Sequence, residues 1–173
     1  MIRKLFCFFS VCVLTAASLC CNDAGSSSAV FLKDSFSPRM QSMGGAYVAA
    51  TCRVDAVVVN PAIITSVLDL SIYTSGAMSI YESQQVQTAI VSPISRIGTF
   101  GVSGYFIKDT GFMGYDTSGK KTNSFDSNAG YYGLSYANKI SDRVSLGLTV
   151  KSIFESEIKP AISGDAGFFC LFK

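Results

Sequence analysis

Few side chains in this sequence could do chemistry, and their spacing serves it poorly. There is no histidine among the 173 residues. That removes Ser-His-Asp and Cys-His catalysis and the commonest metal ligand. Two carboxylate pairs, Asp109 with Asp116 and Glu155 with Glu157, are near enough in sequence to act as acid and base. Gly, Ser and Lys surround them, the usual setting of solvated loop carboxylates, so an enzyme is the least expected function. Of six cysteines, Cys7, Cys12, Cys20 and Cys21 lie near the N-terminus. Cys52 and Cys170 remain, either as one disulfide in an oxidising compartment or as two inert thiols. Two cysteines without histidine do not make a zinc site. No catalytic residue, metal or cofactor is expected.

The composition narrows the class. Hydrophobic residues make up 49% and charged residues 15%, against about 25% charged in soluble domains. That combination opposes disorder and an ordinary soluble surface alike. A net charge of +2 gives no electrostatic reason to expect nucleic acid as a partner.

The elements come in three blocks. Residues 1–21 read as an export signal: Met1-Ile2-Arg3-Lys4 is basic, Leu5 to Leu14 is apolar, and Thr15-Ala16-Ala17-Ser18 is small. Leu19-Cys20-Cys21 adds a weak lipoprotein hint. Removing this block takes Arg3 and Lys4 and leaves a formally neutral chain. Residues 22–66 form a lead-in and a segment rich in small residues. Within it, Asp55 is a candidate cap for a helical turn over Ala56 to Val59. Asn60-Pro61 is a stronger start signal for a short helix over Pro61 to Val67.

From residue 67 to residue 173 the hydrophobic period is two, which reads as antiparallel β-strands. Leu68, Leu70, Ile72, Thr74, Gly76, Met78 and Ile80 share one face. Phe100, Val102, Gly104 and Phe106 oppose Thr99, Gly101, Ser103 and Tyr105. Tyr132, Leu134 and Tyr136 oppose Gly133, Ser135 and Ala137. Val144, Leu146, Leu148 and Val150 oppose Ser145, Gly147, Thr149 and Lys151. Gln85 to Ile94 and Asp165 to Phe172 are weaker candidates. The pattern predicts about six strands, several of about 9–12 residues, near the length a tilted strand needs to cross a bilayer. The polar face is mostly Ser, Thr, Gly and Tyr, which suits a barrel lumen. An exported soluble β-sandwich is the plainer alternative. Tyr73, Tyr81, Tyr105, Tyr115, Tyr131 and Tyr136 lie near strand ends, as in an interfacial girdle. Ser95-Arg96 and Asn138 to Arg143 read as short links, and Asp116 to Asn128 as a long hydrophilic loop. On these faces, Leu146→Asp should be far worse than Ser145→Asp.

Arg39-Met40-Gln41-Ser42-Met43-Gly44-Gly45-Ala46-Tyr47, Asp55-Ala56 and Asn60-Pro61-Ala62 together resemble the opening of FadL-type outer-membrane proteins. The resemblance includes the PorV-like branch and a treponemal family with the same start. It implies a membrane β-barrel with an N-terminal helical hatch in which Gly44, Gly45, Asn60, Pro61 and Ala62 are structural. It also implies location in the outer membrane, contact with its lipid, and passive uptake of hydrophobic molecules. A PorV-like adaptor or a structural surface protein without transport is the alternative. The chain departs from the family in having about six strands, fewer than the eight of the smallest common barrels. This implies a short, incomplete member that pairs with itself or another family member, or stays in the periplasm.

Overall fold

A computed structural model of the chain describes residues 29–33, 37–78, 83–156 and 158–172. Residues 1–21, expected to be an export signal, lie outside them, as do Ser79, Ile80, Tyr81 and Glu157. The chain divides into units Met1–Val30 and Phe31–Lys173. The architecture that follows is that of the second unit.

It is mainly β. Six strands form one antiparallel sheet in the order of the chain: β1 Ser71–Met78, β2 Gln84–Ile94, β3 Gly98–Tyr115, β4 Lys121–Ser141, β5 Val144–Glu155 and β6 Ile158–Cys170. The sheet is not closed: among the described residues β1 and β6 pair only with β2 and β5. The weaker strand candidates at 85–94 and 165–172 are both present, and β6 begins earlier than its pattern suggested. β1 begins later, at Ser71 rather than Leu68.

Two connections are shorter than the sequence implied. The hydrophilic run 116–128 is not a loop. Only Asp116–Lys120 turns, and Lys121 to Asn128 continue as strand against the end of β3. Register carries these polar residues into the ladder, because β3 offers unpaired backbone groups that they can meet. Asp116 closes the turn by accepting from Ser118 N and Lys120 N at 2.8 and 2.9 Å. At 138–143 the strands likewise run on, leaving Asp142-Arg143 as the turn.

Residues 37–66, the segment expected to form the hatch and called so below, pack on one face of this sheet. Helix α1, Pro38–Ser42, starts at Ser37, whose side chain accepts from Met40 N. It ends at two glycines with φ of 61° and 82°. Gly44 N bonds to Gln41 O and Gly45 N to Met40 O. This is a Schellman end, which needs a left-handed residue that only glycine adopts cheaply. A 3₁₀ turn over Asp55–Val58 follows, and another over Pro61–Ser66. Asn60 caps the second as expected, accepting from Ala62 N at 3.1 Å. That turn stops one residue short of the predicted end, with Val67 extended. Asp55 does not cap the first turn. It lies inside it, and both carboxylate oxygens accept from the Tyr47 hydroxyl instead.

Candidate functional site

The alternation along each strand sorts the sheet into two faces of opposite character. In the centre of the sheet, Leu134, Leu148 and Val150 are 67%, 62% and 59% exposed. They belong to the apolar rows Ile72–Ile90–Val102–Leu134–Val150 and Phe100–Tyr136–Leu148. The opposite rows are Ala89–Ser103–Gly133–Lys151 and Val91–Gly101–Ser135–Thr149. Ser103 and Thr149 there are each 2% exposed. The polar face is thus buried and the apolar face uncovered, the reverse of a soluble sheet.

The hatch is what buries the polar face. Tyr47, Ala56 and Ile63 form its apolar centre, with Met40, Val59 and Phe169 against it. Asn60-Pro61-Ala62 sits on Gly147 of β5 and Gly167 of β6, which face each other across the ladder. A Cβ on Gly147 would lie 2.5 Å from Ala62 N and Pro61 C; one on Gly167 would meet Asn60 and Pro61. Glycine is required at both for this close approach. A Cβ on Gly101 would lie 3.3 Å from Val57.

Polar contacts then fix the hatch in position. Asn60 Nδ2 donates to Val48 O and Phe168 O at 3.1 and 3.2 Å. Thr65 Oγ1 meets Ser145 Oγ at 2.8 Å. Ser145 is therefore half of a buried hydrogen bond, which an Asp at that position would also disturb. Lys151 Nζ donates to Val58 O at 3.4 Å, lies 2.6 Å from Asp165 Oδ2, and stands 5.1 Å from the Tyr131 ring centre. The Asp165 carboxylate is partly exposed while the Lys151 side chain is buried. Burial and the Asp55 carboxylate push the Tyr47 hydroxyl up to about 12. The Gln87 amide is buried with neither atom in a hydrogen bond.

The tyrosines correct a second expectation. Tyr105 and Tyr131 do not belong to an interfacial girdle: they are 2% and 0% exposed, on the hatch side. Phe31, Tyr105 and Tyr131 stack in a row, with ring centres 5.9 and 6.2 Å apart. Strand parity already placed Tyr105 on the Ser/Gly face, so the signal was available. Tyr115 and Tyr136 are exposed, as a girdle position requires. Tyr73, partly buried, shares its row with Ala89, and Tyr81 lies outside the described residues.

All five hatch-motif residues serve backbone geometry. Gly44 and Gly45 end α1, and Asn60, Pro61 and Ala62 occupy the glycine seat. Sequence reasoning missed Gly147, Gly167, Lys151 and Asp165, whose roles depend on partners far away in the chain. Of the two carboxylate pairs, Asp116 is engaged in its own turn, and Glu157 lies outside the described residues. Among the described residues no group of three or more Cys, Asp or Glu could hold a metal ion. Cys52 and Cys170 are free thiols. No helix among the described residues is long and apolar enough to cross a membrane, which leaves strand crossings untouched.

No family model, curated protein or solved structure matches the chain.

Proposed function

We propose that residues 67–173 are wall strands of an outer-membrane β-barrel of FadL type, and that residues 37–66 are its hatch. One observation carries this reading: the sheet is inside out. An apolar face left open across five strands is stable only against another apolar phase, and bilayer hydrocarbon is that phase. The hatch supplies the filling that a lumen of Ser, Thr and Gly needs. The strands are also long, 11 to 21 residues for β2 through β6.

The proposed activity is passive uptake of hydrophobic molecules past the hatch. No step requires a bond or a change of protonation. A molecule passes when the Asn60-Pro61-Ala62 seat loosens from β5 and β6. The free edges of β1 and β6 present unpaired N–H and C=O groups, which cost several kcal/mol each in hydrocarbon. Further strands must cover them, and a second copy or another family member would serve. A second reading, a PorV-like platform without transport, is favoured by the close fit of hatch to wall at Gly147 and Gly167.

The test is to refold the protein into phospholipid vesicles and label it with a carbene-generating probe dissolved in the hydrocarbon. Leu134, Leu148 and Val150 should be labelled and Ser103, Ser135 and Thr149 spared. Labelling of these apolar residues by a water-soluble carbene probe instead would overturn the membrane reading. Entry of a fluorescent long-chain probe into the same vesicles separates uptake from a platform role. Refolded by itself, the chain is expected not to conduct as a monomer.

A further inference from the structure

We infer that the short-turn rim carries a site for the phosphodiester headgroup of a membrane lipid. The site is an open cleft of about 380 Å³ between the end of the hatch and the turns that link β2 to β3 and end β4. Its floor is apolar, made by Val67, Leu68, Pro93 and Ile94, and two cations border it, Arg96 and Lys139. Among the described residues no carboxylate lines it. Neither cation makes an ion pair with a described residue. Lys139 also borders an adjoining cleft with Asp142 and Arg143, so cations outnumber acids across the rim.

Two unpaired cations over an apolar floor fit a ligand that is anionic at one end and apolar at the other. The surroundings agree. Leu68, Ile94 and Ile97 are exposed beside the cleft, and Ile94 lies at the end of the strand whose outward residues include Val86 and Ile90. A phosphate held between Arg96 and Lys139 leaves acyl chains to extend over Leu68, Ile94 and Ile97, which are exposed at the rim. Guanidinium with ammonium is the combination suited to phosphate oxygens.

Arg96 also occupies an unusual backbone position. Its φ is 69°, where glycine or asparagine is the ordinary choice, in a turn closed by Ile97 N on Ile94 O at 3.1 Å. Local geometry alone would favour glycine there. The arginine side chain is what a replacement by glycine removes while relieving the backbone.

This inference rests on the membrane reading only for the direction from which the lipid arrives, and its test needs no bilayer. The protein, refolded in uncharged detergent, is titrated with monomeric dihexanoyl phosphatidylglycerol, with dihexanoylglycerol, and with inorganic phosphate. The phospholipid should bind at least about tenfold more tightly than either control, since only it offers both ends to the site. Arg96→Gly with Lys139→Gln should lose that advantage while thermal stability holds or rises. Arg96→Lys with Lys139→Arg should retain it, and Lys120→Gln, at the far hairpin tip, should leave it unchanged. Equal binding by the Gly/Gln variant, or equal binding of inorganic phosphate or dihexanoylglycerol, would overturn the site. So would an equal loss in Lys120→Gln. If phospholipid binds here but the hydrocarbon probe fails to label Leu148, the membrane reading falls alone. The converse result removes only the headgroup site.

Discussion

The two faces of one sheet follow opposite rules, although the same strands supply both. On the hatch side, residues at alternate positions are mostly small or hydroxylated, and several are held by close fit or by hydrogen bonds. Gly147 and Gly167 leave room for Pro61, and Ser135 meets Thr149 at 2.6 Å. On the other side, Leu134, Leu148 and Val150 are apolar and exposed, with no second layer of described residues over them. Specificity therefore resides on the polar face and bulk hydrophobicity on the apolar one. A soluble sandwich would concentrate both on a single face. The contrast predicts that substitutions on the two faces will be sensitive to different things, close packing in one case and the surrounding solvent in the other.

The strongest challenge to that contrast is Gly147→Val. Its side chain would occupy the space of the Pro61-Ala62 backbone, so the hatch should fail to dock, at a cost at the upper end of overpacking, about 3 kcal/mol or more. Trypsin should then cut at Arg39 and Arg53 readily. Gly164→Ala, on the open face with only Thr149 O at 3.8 Å from its new methyl, should leave both cleavage and melting unchanged. Next in size is Leu148→Arg. In vesicles it should cost about 2–4 kcal/mol if it lies near mid-bilayer. In detergent-free water the same change should be harmless or improve solubility. Equal penalties in the two media would erase the proposed difference between the faces.

Breaking the Lys151–Asp165 pair should have an intermediate and asymmetric effect. Asp165→Asn strands a buried ammonium and should cost about 2 kcal/mol, whereas Lys151→Met leaves a carboxylate that already reaches water and should cost about 1 kcal/mol. Chemical denaturation of the two variants side by side reads the difference. The last effect is alkaline. Tyr47 is raised to about 12 from an ordinary value near 10. A group raised on folding lends its stability below the unfolded value and loses it as pH climbs through the folded one. Hatch docking should therefore weaken between about pH 10 and 12, and Tyr47→Phe should flatten that slope in a pH series of protease protection.

Much of this was legible in the sequence because period two is a local signal. Val144, Leu146, Leu148 and Val150 announced their face without help from elsewhere, as did the Asn60 cap. What stayed hidden depends on pairing across the chain. Lys121 to Asn128 has a loop's composition and becomes strand because β3 lies beside it. Lys151 reads as an ordinary polar-face residue until Asp165 and Val58 are brought to it. The tyrosines misled for a different reason: the girdle reading weighed their place along the strand and ignored the parity that turned Tyr105 and Tyr131 inward.

The glycine seat has a consequence for assembly. Sliding a strand by one position along its neighbour turns all of its side chains to the opposite face. A slip of one position in β5 would carry Leu146 or Leu148 to the place of Gly147, and a side chain of that size leaves no landing for Pro61. The same holds for β6, where Ala166 or Phe168 would replace Gly167. The hatch can therefore close only over a correctly aligned pair of strands. It acts as a proofreader of register, converting a misaligned strand into an unprotected segment that a protease can find.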